Sequence, residues 1–225
     1  MTNRIVVGVD AWKGRWVAVT LLNGHFHAAA LLASIAELRR MDDAVAIGID
    51  MPIGLPNLGG TRKADIEARA ILGRRWSSVF MTPSDAEFDA ETHAAAVIVA
   101  REAGHPAMSA QAWGLRQSIR DVSAVAATDQ RIYEVHPEVS FAAMGDEPPR
   151  WAKASWNGVA LRLALLRAQG IALPEQIEEA GIAGVADVLD AAAAAWSADR
   201  IAQGAARSFP DPPETIGGRS IAIWA

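Results

Sequence analysis

The stretch "AIGIDMPIGLP" (Ala46–Pro56) sets the frame for the whole sequence. Its first half is a short apolar run with the character of a buried strand, and the run ends at Asp50. The two prolines that follow prevent a helix from starting at once. An aspartate in this position is either an ordinary turn former or a carboxylate held at the edge of a sheet for chemistry. The surrounding sequence has to decide between these two interpretations.

Composition limits the kind of protein. The chain has 225 residues, of which 51% are apolar, so it can bury a sizeable core. Its net charge of −5 argues against a general nucleic-acid binder, although a local basic patch can still bind phosphates. Because it contains no cysteine, any metal must be bound by Asp, Glu or His.

The uncharged segment Trp16–Ala36 is long enough to cross a membrane, but its Asn23-Gly24 dipeptide is a strong hairpin signal. We therefore interpret it as two strands. With no recognisable signal peptide, the sequence predicts a cytoplasmic protein without a membrane segment.

The first fifty residues predict four strands. Arg4–Asp10 is a buried strand, and Arg15–Leu22 and His25–Leu32 complete an antiparallel meander with it. A short helix then crosses over, so a fourth strand, Ala44–Asp50, can run parallel to the first. The remainder predicts five helices, a fifth strand, a proline-rich linker and a final strand: Arg62–Leu72, Ser84 to about Ala103, Ser109–Ala126, Ser155–Ala168, Val185–Gln203, Arg131–Val135, Pro210–Glu214 and Ser220–Trp224. We expect a single α/β domain over residues 1–225, with a helical insertion near residues 57–128.

Acidic residues recur where this topology would bring them together. Asp10 and Asp50 end two strands predicted to be parallel neighbours, which lie about 4.8 Å apart. Glu134 lies on the later strand in "IYEVHPE", and Asp187 and Asp190 share one face of the last helix by their i, i+3 spacing. Oxygen ligands without thiolates favour Mg²⁺ or Mn²⁺.

Each of these acids also has an ordinary explanation. The two strand-end aspartates can be turn residues, and Glu134 can be a charge on an edge strand. Asp187 is explained by the positive end of the helix dipole, which explains Asp190 less well because it lies a turn further in. His136, two residues after Glu134, can be a packed or capping histidine instead of part of a site.

Several basic residues are candidates for binding phosphate beside the acids. Most lie in a run that ends at Trp76, a ring that can stack on a base or pack in the core. The alternative for the basic run is a solvated helix face, and the alternative for Lys13 is a plain turn lysine. The candidates are Lys13, Arg62, Arg69, Arg74, Arg75 and Arg116.

The chain resembles the DUF429 family of predicted nucleases within the ribonuclease H-like superfamily. The resembling segments are "VGVDAWKGRWVAV", "IGIDMPIGLP", "ARAILGRRWSSVF", "IYEVHPEVSF" and "DVLDAAAAAW". The last of these also resembles the closing helix of Holliday-junction resolvases. The resemblance implies a ribonuclease H-like mixed sheet, with three antiparallel strands followed by parallel strands, and metal-dependent hydrolysis of phosphodiester bonds.

The resulting hypothesis is a nuclease in which Asp10, Glu134 and Asp190 ligate one or two Mg²⁺ ions. Asp50 and Asp187 are further ligands or support, and the sequence leaves open whether Asp50 or Glu134 is the main ligand. The alternative is a non-catalytic ribonuclease H-like module that binds a protein or nucleic-acid partner. DNA or RNA, branched or linear substrate, and the oligomeric state also stay open. Neither a P-loop nor a G-x-S-x-G elbow is present to suggest other chemistry.

Overall fold

A five-stranded mixed sheet forms the centre of the molecule. The computed structural model describes residues 3–106 and 108–225. The sheet has the order β3-β2-β1-β4-β5 and consists of β1 (Ile5–Trp12), β2 (Arg15–Leu22), β3 (His25–Leu32), β4 (Ala44–Ile49) and β5 (Ile132–Glu134). The first three strands are antiparallel, whereas β4 runs parallel to β1 and β5 runs parallel to β4. The predicted meander followed by parallel strands is therefore confirmed.

Helices cover both faces of this sheet. Between β4 and β5 the chain forms α1 (Lys63–Leu72), α2 (Asp85–Phe88), α3 (His93–Glu102) and α4 (Ala110–Thr128). After β5 it forms α5 (Pro137–Gly145), α6 (Trp156–Ala168) and α7 (Val185–Ala202). A small second sheet follows, made of β6 (Ser208–Ile216) and β7 (Arg219–Trp224). No helix among the described residues combines the length and the apolar character needed to cross a membrane.

The alternation of residues along β1 separates two cores. Val6 packs on the face that carries α5, α6 and α7, whereas Val7 and Val9 pack on the face that carries α4. Gly8 and Asp10 have the same parity as Val6, so they face α7. The same reasoning applies to Gly48 and Asp50 along and after β4, because β1 and β4 pair in register at their glycines.

Helix α7 lies unusually close to the sheet. A Cβ atom on Gly8 would overlap the backbone of Ala191 and Ala195, and one on Gly48 would approach the carbonyl oxygen of Ala194 to 2.5 Å. The run of five alanines at positions 191–195 of α7 is fully buried. Two glycines on the sheet and a run of alanines on the helix thus let the two backbones touch. This close packing places the N-terminal turns of α7, with their acidic side chains, next to the ends of β1 and β4.

Three local features differ from the sequence prediction. The helix expected from Ser84 to Ala103 is two helices, because the Thr92 side chain accepts a hydrogen bond from the Ala95 amide and starts α3 afresh. The predicted linker Pro210–Glu214 lies within β6, where the prolines sit in an irregularity of the pairing with β7. Helix α5 was not predicted, although Pro137 at its first position is a typical helix start.

Candidate metal centre

Three aspartates meet at the carboxyl ends of β1 and β4. Each of Asp10, Asp50 and Asp190 offers a carboxylate oxygen, and these three oxygens lie within 4.8 Å of one another. The Asp50 amide donates to the Val9 carbonyl at 2.9 Å, which fixes the two strand ends side by side. Asp190 reaches the pair from the first turns of α7 because that helix packs so close to the sheet. The sequence-predicted neighbourhood of these three residues is therefore present.

Two of the three carboxylates are buried, and that of Asp50 is half-buried. Asp10 is 7% exposed and Asp190 is 2% exposed. Burial, followed by repulsion from Asp50 and Asp190, raises the pKa of Asp10 well above its usual value. Burial raises the pKa of Asp50 to about 7 and that of Asp190 to about 6, although the positive charge of Lys153 opposes both shifts. The cluster therefore resists carrying three negative charges at neutral pH unless a cation joins it.

One oxygen of this cluster has no partner. Within the described part of the chain, Asp190 Oδ1 is buried and accepts no hydrogen bond. A buried carboxylate oxygen left unpaired is costly, and native structures normally satisfy such an atom with a donor, a water molecule or an ion. Hard carboxylate oxygens are the ligands that Mg²⁺ and Mn²⁺ prefer. The donor set of Asp10, Asp50 and Asp190 therefore fits a divalent cation.

Lys153 is a member of the site that sequence reasoning missed. It lies between α5 and α6, and its ammonium group donates to Asp190 Oδ2. Burial lowers the pKa of Lys153, but the charges of Asp190, Asp10 and Asp50 outweigh burial and raise it. The side chain is 44% exposed, so it approaches the cluster from the solvent side. Nothing in "RWAKAS" distinguishes this lysine from a surface lysine, because the segment has no regular secondary structure.

Glu134, a predicted ligand, is engaged elsewhere. Its Oε1 accepts from Arg62 Nη2 at 2.5 Å, and its Oε2 accepts from Arg62 Nη1 at 3.0 Å and from the Ile53 amide at 2.7 Å. The physical reason is register: Glu134 pairs with Ile49, which packs on the face opposite α7. Glu134 therefore points away from Asp190, and a shift of one residue would have been needed to turn it toward the cluster.

Arg62, a predicted phosphate ligand, is the buried counterion of that glutamate. It is 0% exposed, and besides Glu134 it contacts Asp65 Oδ1 at 3.0 Å. Its Nη1 also donates to the carbonyl oxygens of Ile53 and Gly54, both at 3.2 Å. A guanidinium so fully enclosed and paired cannot reach a phosphate, so the prediction for Arg62 is wrong and its role is structural.

Asp187 lines the same cleft without joining the triad. The cleft has a volume of about 500 Å³, and its walls include Asp10, Asp50, Glu134, Asp187 and Asp190. Asp187 is half-buried, and its charge contributes to the raised pKa of Asp10, although less than the other carboxylates do. All five predicted acids thus border one cavity, but the structure brings only three of them within reach of one ion.

The remaining basic candidates lie around this cleft to different degrees. Arg75 lines it and donates to Glu138 Oε1 at 2.9 Å. Arg69 stacks on Trp76 at 4.9 Å and donates to the Val79 carbonyl at 2.8 Å.

The other three candidates, like Arg69, do not line the cleft. Arg74 is exposed, and Lys13 lies exposed over the ring of Trp12 at 5.3 Å. Arg116 stacks on Trp113 at 4.1 Å. Of the five remaining candidates only Arg75 borders the carboxylates directly.

Glu138 and His136 are further polar residues of the cleft wall. Glu138 is 6% exposed; its Oε1 accepts from Arg75 and from the buried Arg162, the latter at 2.7 Å. Burial lowers the pKa of His136, and its Nε2 contacts the Ser78 carbonyl at 3.2 Å. A carbonyl oxygen can only accept, so Nε2 donates in this contact.

Comparison with known proteins supports the DUF429 part of the resemblance seen in the sequence. The family model described as "Protein of unknown function (DUF429)" matches residues 8–215, so the chain belongs to the DUF429 family. The match includes all three aspartates of the cluster. Searches of curated proteins and of solved structures found no match. The family is thus established, and the chemistry has to be inferred from the site itself.

Proposed function

We propose that the protein is a nuclease that hydrolyses phosphodiester bonds with Mg²⁺ or Mn²⁺ held by Asp10, Asp50 and Asp190. The observation that carries this proposal is the meeting of three carboxylates within 4.8 Å, two of them buried and one half-buried, where a buried oxygen of Asp190 is unpaired. Carboxylate clusters of this kind hold the ions of metal-dependent phosphoryl-transfer enzymes.

The fold supports the same proposal. An antiparallel meander that continues into parallel strands, with acids at the ends of β1 and β4 and on a closing helix, resembles the ribonuclease H-like arrangement. Asp50, not Glu134, is then the ligand contributed by the middle of the sheet, because the oxygens of Glu134 are bound by Arg62.

The residues of the chain would divide the work as follows. A bound divalent ion lowers the pKa of a coordinated water and neutralises charge on the phosphate. Asp10, Asp50 and Asp190 would hold that ion, and the burial of Asp10 and Asp190 keeps bulk water away from the site. Lys153, whose ammonium group donates to Asp190 from the solvent side of the cluster, is placed to bind a non-bridging oxygen of the phosphate.

Cleavage assays with full-length protein test this proposal. We expect Mg²⁺ or Mn²⁺ to support cleavage of a single-stranded, hybrid or branched nucleic acid, and EDTA to abolish it. Asp190→Asn should abolish cleavage because the variant loses a ligand. Asp199→Asn is the matched control: Asp199 is a buried acid on the same helix, but it pairs with Arg4 and lies outside the cluster. Equal activity in Asp190→Asn and wild type would exclude the proposed site.

A second function is favoured by one observation. The Lys153 ammonium already supplies a positive charge to Asp190, as it would in a module that never binds metal. In that case the chain is a non-catalytic binding module. Binding of nucleic acid or protein that is unchanged by Asp190→Asn, with no cleavage of any substrate tested, would support this alternative.

A further inference from the structure

Two exposed tryptophans, Trp76 and Trp151, lie in segments that line the carboxylate cleft. The cleft wall includes their chain neighbours Arg75 and Ala152. Trp76 is 52% exposed and Trp151 is 41% exposed. Large aromatic rings lose favourable burial when they stay in water, so their exposure beside a cavity is a common mark of a binding surface. A third ring, Trp156, is exposed on the first turn of α6.

Hydrogen bonds connect the segments that contain Trp76 and Trp151 through one carboxylate oxygen, Glu138 Oε1. Arg75, the neighbour of Trp76, donates to Glu138 Oε1 at 2.9 Å. Arg162 donates to the same oxygen at 2.7 Å, and its other terminal nitrogen donates to the Trp151 carbonyl at 3.2 Å. Because Glu138 and Arg162 are buried, this bridge holds the two segments in fixed positions side by side on the cleft wall.

The guanidinium group of an arginine lies over each of the two tryptophan rings. Arg69 lies 4.9 Å from the centre of the Trp76 ring, and Arg150 lies 5.0 Å from that of Trp151. Within the described part of the chain, neither arginine forms a salt bridge with a carboxylate. These cations therefore keep their charge for an anionic ligand, which is the property that phosphate binding requires.

We propose that Trp76 and Trp151 are stacking platforms for unpaired bases, so that the cleft takes single-stranded nucleic acid. This inference rests on the nuclease function proposed above. A base in a duplex has both faces covered by its neighbours, whereas an unpaired base can stack on an aromatic ring while arginines bind the adjacent phosphates. A protein partner would also use tryptophan and arginine, but the position beside a carboxylate cleft and the unpaired cations favour a polyanion.

Binding can be measured without cleavage. Full-length Asp190→Asn protein in EDTA is titrated with a fluorescently labelled single-stranded oligonucleotide and with the matching duplex, and anisotropy is recorded. We expect the single strand to bind more tightly than the duplex. Trp76→Ala and Trp151→Ala, each added to this background, should weaken single-strand binding about fivefold or more, since stacking contributes strongly per base.

A matched control separates stacking from general damage. Ile182→Ala removes an exposed apolar side chain that lies outside the cleft, and it should bind like the parent protein. All four proteins should melt at similar temperatures, because the substituted side chains are exposed.

The outcomes distinguish this inference from the nuclease proposal. Equal affinity for single strand and duplex, no binding to either, or binding unchanged by both tryptophan variants would overturn the inference, even if wild-type protein cleaves with Mn²⁺. Ring-dependent binding of the single strand, with no cleavage by wild-type protein and Mn²⁺, would support the inference and overturn the nuclease proposal.

Discussion

Replacing Asp10 with asparagine should stabilise the protein when metal is absent. The carboxylate oxygens of the triad lie within 4.8 Å of one another, and two unit charges at that distance repel by about 3.5 kcal/mol at an effective dielectric constant of about 20. Asp10→Asn removes repulsion with both Asp50 and Asp190 and loses attraction to Lys153. Its amide oxygen can still accept the hydrogen bond that Asp10 Oδ1 receives from the Ala11 amide at 2.8 Å.

At pH 8 the free energy of unfolding of Asp10→Asn should exceed that of the wild type by about 3 kcal/mol, since the lost attraction to Lys153 offsets one of the two relieved repulsions. For a chain of this length that gain corresponds to a rise in melting temperature of roughly 6–12 °C. Thermal unfolding followed by circular dichroism in EDTA measures it. With Mn²⁺ at a hundred times its dissociation constant, the wild type should gain about 2.7 kcal/mol, and the variant clearly less.

Asp199→Asn is the control for both measurements. Its carboxylate is paired with Arg4, so the substitution should lower the melting temperature without changing the gain from Mn²⁺. The reasoning would be refuted if Asp10→Asn melted below the wild type in EDTA, as Asp199→Asn should, or if it gained as much as the wild type from Mn²⁺.

Three further outcomes are expected. Lys153→Met should melt lower in EDTA yet bind Mn²⁺ roughly fivefold more tightly by calorimetry, because a partly solvent-screened competing cation is removed. Between about pH 4 and 7 the folded protein holds more protons on Asp50 and Asp190 than the unfolded chain does. The free energy of unfolding without metal, measured by urea titration, should therefore fall as the pH rises, and it should fall less in Asp50→Asn and Asp190→Asn. Gly8→Ala should cost about 3 kcal/mol or more, because its Cβ meets α7 backbone, whereas Gly114→Ala, which meets open space in a helix, should stabilise by about 0.5–1 kcal/mol in the same titrations.

The strand patterns in the sequence predicted more of the site than the helix patterns did. Asp10 and Asp50 could be brought together from the sequence because a crossover helix makes their strands parallel, and the ends of parallel strands meet at one edge. Asp190 followed from the spacing on the last helix. Glu134 lies outside the cluster because its neighbour in the adjacent strand is Ile49 and not Asp50. A difference of one residue in strand register cannot be read from composition.

Residues in irregular segments escaped prediction for a different reason. Lys153 reaches Asp190 from a segment without repeating structure, so no periodicity indicates where its side chain points. Arg62 was misread because a basic run predicts a solvated face, whereas this arginine is buried by its pairing with Glu134 and Asp65. Long-range ion pairs of this kind are set by tertiary structure and leave no local signal.

The contact between the two sheet glycines and the alanines of α7 also governs when the carboxylate cluster can come into being during synthesis. Two of its members leave the ribosome early, in strands that pair locally, but the third arrives only with α7, far along the chain. Until that helix docks on Gly8 and Gly48, a nascent chain has neither the third carboxylate nor the burial of the cluster. A growing polypeptide would therefore be unable to capture a divalent ion at this position, and acquisition of metal would mark the completion of the fold.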